Sequence, residues 1–163
     1  MSGFDDIVRR SLTEFAAESL CSDWRGRRER EAVSLYVFRH LLREVRPDSV
    51  LRDPAQITIE FPVPQVAESG KLQVCKDIVI WSEPAMSCWD DDGQPTVAPS
   101  VILEWKFGAV GTFAPDVEWL RSFSKAFPGF IGYAVTANRP GAGALLRCDR
   151  IAAGEVHPAW INL

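Results

Sequence analysis

Apolar residues recur at three- and four-residue steps along the first segment. Phe4, Ile7, Val8, Leu12, Phe15, Ala16 and Leu20 share one side of a helical wheel and predict an amphipathic helix over 4–20. A second stripe, Leu35, Phe38, Leu41, Leu42 and Val45, predicts a helix from about 28 to 45 that stops before Pro47. The period then changes from helical to alternating. Ile57, Ile59 and Phe61 share one face of a strand over 56–63, Thr58 and Glu60 the other, and Pro62 marks an edge or an end. Two denser runs, "VCKDIVIW" (74–81) and "VILEWKF" (101–107), read as strands buried on both faces. A long loop rich in Pro, Asp and Gly separates them. A helix over 115–127 follows, carrying Val117, Leu120, Phe123, Ser124 and Phe127 near one face, and then a buried strand, "FIGYAVTA" (130–137). The remaining stretch, with "ALLRCDRI", is expected to add a short helix or an edge strand. The order of helix, helix, three strands, helix, strand predicts an α/β fold, a mixed sheet with helices packed on it.

Composition bounds this picture without changing it. A chain of 163 residues, 47% hydrophobic and 25% charged with six Trp, is expected to form one globular domain. Four Cys and two His show no metal-ligand spacing, and their scatter reads as reduced thiols in a cytoplasmic protein. No apolar run approaches the ~18 residues of a membrane span, so no membrane partner is expected. The net charge of −4 argues against broad coating of nucleic acid. Arg25, Arg27, Arg28 and Arg30 nevertheless form a local basic patch in "WRGRRERE". Cations at a helix start oppose the helix dipole, so helix stability does not explain them; a solvated helix start and a phosphate contact both stay open.

The unusual feature is the polar content of the densest strands. Glu104 and Lys106 interrupt "SVILEWKFG" and project from the same face as Ile102, while Val101, Leu103, Trp105 and Phe107 project from the other. The preceding strand carries Asp77. If the two strands are neighbours, the three polar side chains converge, and buried charges that converge pair, bind metal or shift their pKa. At about 100° per residue, Glu31 lies in line with Leu35, Phe38 and Leu42, while Glu29 falls nearly opposite, beside His40 and Arg43. Glu31 is therefore the acid expected to face the sheet.

A helix carrying Glu31, then Asp77 in a strand, then Glu104-Trp105-Lys106 in the next, resembles the PD-(D/E)XK nuclease superfamily. The resemblance spans about 28–137 as a nuclease-like core and leaves 1–24 as a helical addition and 138–163 as a C-terminal addition. It implies a restriction-endonuclease-like fold, a central mixed sheet flanked by helices. It further implies Asp77 and Glu104 as ligands of Mg²⁺, for which Mn²⁺ can substitute, and Lys106 as the residue that positions or activates the attacking water. Glu31 would contribute to the metal site. The implied function is a metal-dependent nuclease, a hydrolase of phosphodiester bonds in nucleic acid, with DNA the expected substrate. Lys76 stands before Asp77 where the family motif has Pro. Lys106 could carry a depressed pKa or hold water and phosphate together.

Two other readings stay open. The cluster could be structural, Lys106 pairing with Asp77 or Glu104 in a non-catalytic binding module of the same fold; Glu31 could pair with a neighbouring arginine. The acidic chain would also suit a small α/β interaction protein. Asp90-Asp91-Asp92 reads as a solvated turn, and "RPGAGALLR" lacks the Lys-Ser/Thr of a phosphate loop. Glu60 and Gln65 could approach the site, and Trp24 and Trp89 could stack on bases. No separate reading domain is visible, so specificity calls for a homodimer or a partner protein.

Overall fold

The computed structural model describes residues 3–21, 28–66, 72–108, 113–141 and 143–163. Three α-helices and six strands are found among them: α1 (Gly3–Phe15), α2 (Glu29–Arg39), β1 (Ile57–Pro64), β2 (Gln73–Ile80), β3 (Val101–Phe107), α3 (Ala114–Ala126), β4 (Ile131–Ala137), β5 (Leu146–Ala152) and β6 (Glu155–Asn162). The strands form one mixed sheet in sequence order, β1 to β6. Only β3 and β4 are parallel among the neighbours, because α3 crosses between them, whereas the other strands return directly and pair antiparallel. No described helix is long and apolar enough to cross a membrane.

Alternation along β3 divides the core in two. Val101, Leu103 and Trp105 join Ile78, Ile80, Tyr133 and Val135 under α1 and α2. Ile102 joins Val79, Trp81, Leu120, Phe123 and Ala134 under α3. Leu12 and Phe15 of α1 are fully buried, each contributing roughly 1.5–3 kcal/mol. Polar groups hold the first layer in register. Tyr133 donates to Asp5 at 2.6 Å, and Arg150 grips the same carboxylate with two hydrogen bonds of 2.7 and 3.1 Å. A π-helical turn, Ala16–Leu20, then brings Ser19 to 2.9 Å from His40, where burial holds the imidazole below its ordinary pKa.

Two features depart from expectation. The C-terminal stretch is a hairpin, β5 and β6, joined by a two-residue turn in which Ala153 (φ 51°) and Gly154 (φ 78°) are both left-handed. Pro158 is tolerated in β6 because that strand is the sheet's edge. The second departure is in β1. Ile57 and Ile59 pack under α1 and α2, but Phe61 and Val63 pack on the α3 side. The break is Glu60, a non-glycine residue held at φ 53°, which slips the pleat by one residue. The β1–β2 register runs through the slip, from Ile59↔Ile78 to Phe61↔Lys76, so Asp77 sits opposite Glu60. The slip therefore passes into β2: Ile78 faces one core, yet Lys76 and Val74 face the other.

The acidic loop behaves as a turn. Asp90 accepts from the main-chain N–H groups of Asp92 and Gln94, and all three acids are exposed. Trp89 packs against the α3-side core. All four cysteines are unpaired, Cys21 and Cys75 exposed, Cys88 and Cys148 buried.

Candidate functional site

The site lies where β2 and β3 part. Their ladder consists of Ile80↔Val101, Val79↔Ile102 and Ile78↔Leu103, and there it stops, while β2 continues along β1 alone as far as Gln73. The next residues on either side of the opening seam are Asp77 and Glu104. Asp77 bridges it with its side chain: Oδ2 accepts the main-chain N–H of Trp105 at 2.8 Å, replacing the strand carbonyl that would otherwise take that donor. The carboxylate is thus fixed beside the residue that separates Glu104 from Lys106.

The charges pair differently from the expected scheme. Glu104 is buried and its partner is Lys76, delivered to this face by the slipped pleat. The Lys76 ammonium also lies 3.6 Å over the ring of Trp119 on α3, whose indole N–H donates to Gln65. Burial pushes the Glu104 carboxyl up to about 7; Lys76 opposes the rise, and Asp77 and Asp116 add to it. Lys106 pairs with neither Asp77 nor Glu104. It reaches Glu29 of α2 and Asp116 of α3, each at 3.4 Å, and donates to the Trp105 carbonyl at 2.7 Å. Burial lowers its pKa, but Asp116, Glu29 and Asp77 outweigh this and hold it above the ordinary lysine value.

The helical acid is also corrected. Glu29, not Glu31, turns toward the strands. Ala32, Val33, Tyr36 and Val37 are the buried face of α2, and Glu29 lies one turn before Val33. Leu35 is half-buried and Phe38 is 68% exposed. The apolar stripe misleads because a second one, Ala32, Val33, Tyr36, Val37 and Leu41, is the buried one, with Tyr36 against Ser11 and His40 against Ser19. Glu31 is exposed and turns back to accept the Arg28 main-chain N–H at 3.4 Å, the reciprocal half of a helix cap. Of the basic patch, Arg25 and Arg27 lie outside the described residues. Arg30 pairs with Glu60 at 2.6 Å, and Arg28, Glu29, Arg30, Val33, Glu60 and Asp77 line one pocket of about 270 Å³.

Sequence reasoning missed Lys76, Asp116, Trp119 and Glu29. Asp116 carried a signal: it is the first-turn acid of a helix that starts a few residues beyond β3, so it returns to that strand's end. Lys76 carried none, because regular alternation places it on the wrong face.

The donor chemistry suits a hydrated Mg²⁺, which takes one or two carboxylates and keeps several waters. Asp77 and Glu104 are the two carboxylates beside the seam that would serve such an ion, and the Lys76 ammonium stands as a cation against Glu104. Asp116 Oδ2, a buried atom without a hydrogen bond, is faced by the Lys106 ammonium at 3.4 Å. Among the described residues no group of three or more His, Cys, Asp or Glu is placed to hold a metal, so the protein offers no closed cage. No protein-family model, curated protein or solved structure matches the chain.

Proposed function

We propose that the protein is a Mg²⁺-dependent phosphodiesterase acting on nucleic acid, with DNA the expected substrate, on a restriction-endonuclease-like fold of the PD-(D/E)XK type. One observation carries the reading: Asp77 is hydrogen-bonded to the peptide between Glu104 and Lys106, so the acid and the E-x-K tripeptide meet at one open seam. The element order supports it, a helix before three antiparallel-paired strands and a crossover helix leading to a parallel fourth.

Asp77 and Glu104 are the residues that would hold the cation. When bound, Mg²⁺ lowers the pKa of a ligated water and stabilises charge developing on the phosphate. Lys106 is held from two sides by Glu29 and Asp116, so its ammonium is positioned to orient the attacking water and the scissile phosphate rather than to remove a proton. Arg28 and Arg30 wall the pocket that contains Asp77 and supply phosphate contacts on the approach side. Specificity would come from a second copy or a partner protein.

The buried Lys76–Glu104 pair favours a second reading, a non-catalytic binding module in which the cluster is structural. Calorimetric titration with Mn²⁺, run beside cleavage of a mixed DNA and RNA panel, separates the two. The nuclease reading requires Mn²⁺ binding that disappears in Asp77→Asn, together with Mn²⁺-dependent cleavage. A wild type that neither binds Mn²⁺ nor cuts any substrate leaves the binding module.

A further inference from the structure

Lys76 is the residue where this chain departs from the motif it resembles, and its side chain is 4% exposed against a Glu104 side chain of 7%. We infer that Lys76 is a resident counter-ion of the metal site: its ammonium neutralises Glu104 in the metal-free protein and must leave that carboxylate when a divalent cation takes it. The inference rests on the proposed metal site and adds a competitor built into it.

The ammonium reaches Glu104 only because the pleat of β2 slips at Asp77; regular alternation would send Lys76 into the α1–α2 core. A lysine buried there without a partner would be costly, so the slip and the pair go together. Lys76 touches the ring of Trp119 from the same position in which it pairs with Glu104. Trp119 stacks on Phe123 at a centroid distance of 4.8 Å and is fixed by its bond to Gln65, and the ammonium already lies over its ring. Two cations cannot share one buried carboxylate without repulsion. Linkage between the two is reciprocal, so whatever the ammonium gains from Glu104 is subtracted from the affinity for metal.

The test is calorimetric titration with Mn²⁺ of the full chain as wild type, Lys76→Met, Lys76→Gln and Asp77→Asn. Lys76→Met should bind Mn²⁺ at least about fivefold more tightly than wild type, the lower end of typical coupling between two sites. Lys76→Gln keeps a hydrogen-bond donor for Glu104 but removes the charge, and should also bind more tightly than wild type. Lys76→Met leaves Glu104 without its cation, so thermal melting with and without Mn²⁺ accompanies the titration; the metal should raise the melting temperature of this variant more than that of wild type. If Lys76→Met fails to fold even with Mn²⁺ present, Lys76→Gln decides, and affinity equal to or below wild type overturns the inference. Equal or weaker affinity in a folded Lys76→Met protein overturns it too, and leaves the metal site standing. Binding that survives Asp77→Asn, or no binding by either wild type or Lys76→Met, overturns the proposed site itself and the inference with it.

Discussion

Asp77 accepts the main-chain N–H of Trp105 at 2.8 Å, joining β2 to β3 one residue beyond the end of their ladder. A carboxylate that serves as a strand acceptor is positioned before any ligand arrives, and its charge and its hydrogen bond are separable by substitution.

Asp77→Asn keeps an oxygen for Trp105 and should retain nearly wild-type stability in urea denaturation. Asp77→Ala orphans the N–H and should lose about 1–3 kcal/mol. Both variants should lose Mn²⁺ binding and cleavage. Equal stability losses in the two would mean that the charge, not the hydrogen bond, is what the fold uses.

Lys106 should be dispensable for folding. Its partners Glu29 and Asp116 are both partly exposed, so Lys106→Met should cost less than about 1 kcal/mol. Mn²⁺ binding should persist while the cleavage rate falls by about 10²–10³, the range for one electrostatic donor at the reacting group. A melting temperature that collapses in this variant would return Lys106 to a structural role.

The two acids at the start of α2 should behave oppositely. Glu29→Gln loosens one of the two carboxylates that hold Lys106, and a small misplacement of such a group can cost up to about 10²-fold in rate. Glu31→Ala removes a helix-capping contact and should leave single-turnover cleavage at the wild-type level.

Glu104 should make stability depend on pH. Its carboxyl is raised from the ordinary value of 4.5 to about 7, so the folded state holds a proton that the unfolded chain releases. The stability associated with that proton is fully present below about pH 4.5 and is lost as pH rises through about 7, amounting to roughly 3 kcal/mol. Urea midpoints of the metal-free protein between pH 4.5 and 7.5 should show this loss, and Glu104→Gln should flatten it.

The parts legible in the sequence were those where burial is continuous. Strands β3 and β4 and the Ile78–Ile80 part of β2 are buried on both faces and announce themselves by composition, and α3 by its spacing and by Pro115. The α2 face is misread because a second apolar stripe, Ala32, Val33, Tyr36, Val37 and Leu41, is the buried one, with the Tyr36 hydroxyl and His40 Nε2 bonded to Ser11 and Ser19. Glu60 gave no warning of a left-handed backbone, and without that slip Lys76 belongs on the far face and Glu104 lacks its partner. The C-terminal hairpin was missed because Ala153-Gly154 is a weaker turn signal than Asn-Gly.

The slip at Glu60 also bears on how the molecule comes apart. Strand β1 gives its first half to the core under α1 and α2 and its second half to the core under α3, and in β2 Ile78 and Ile80 serve the first core while Val74 and Val79 serve the second. Neither layer can be peeled from the sheet without pulling on a strand that is also part of the other. The two cores should therefore melt as a single cooperative unit, with calorimetric and van't Hoff enthalpies in agreement, although helices on opposite faces of a sheet could otherwise unfold in separate steps.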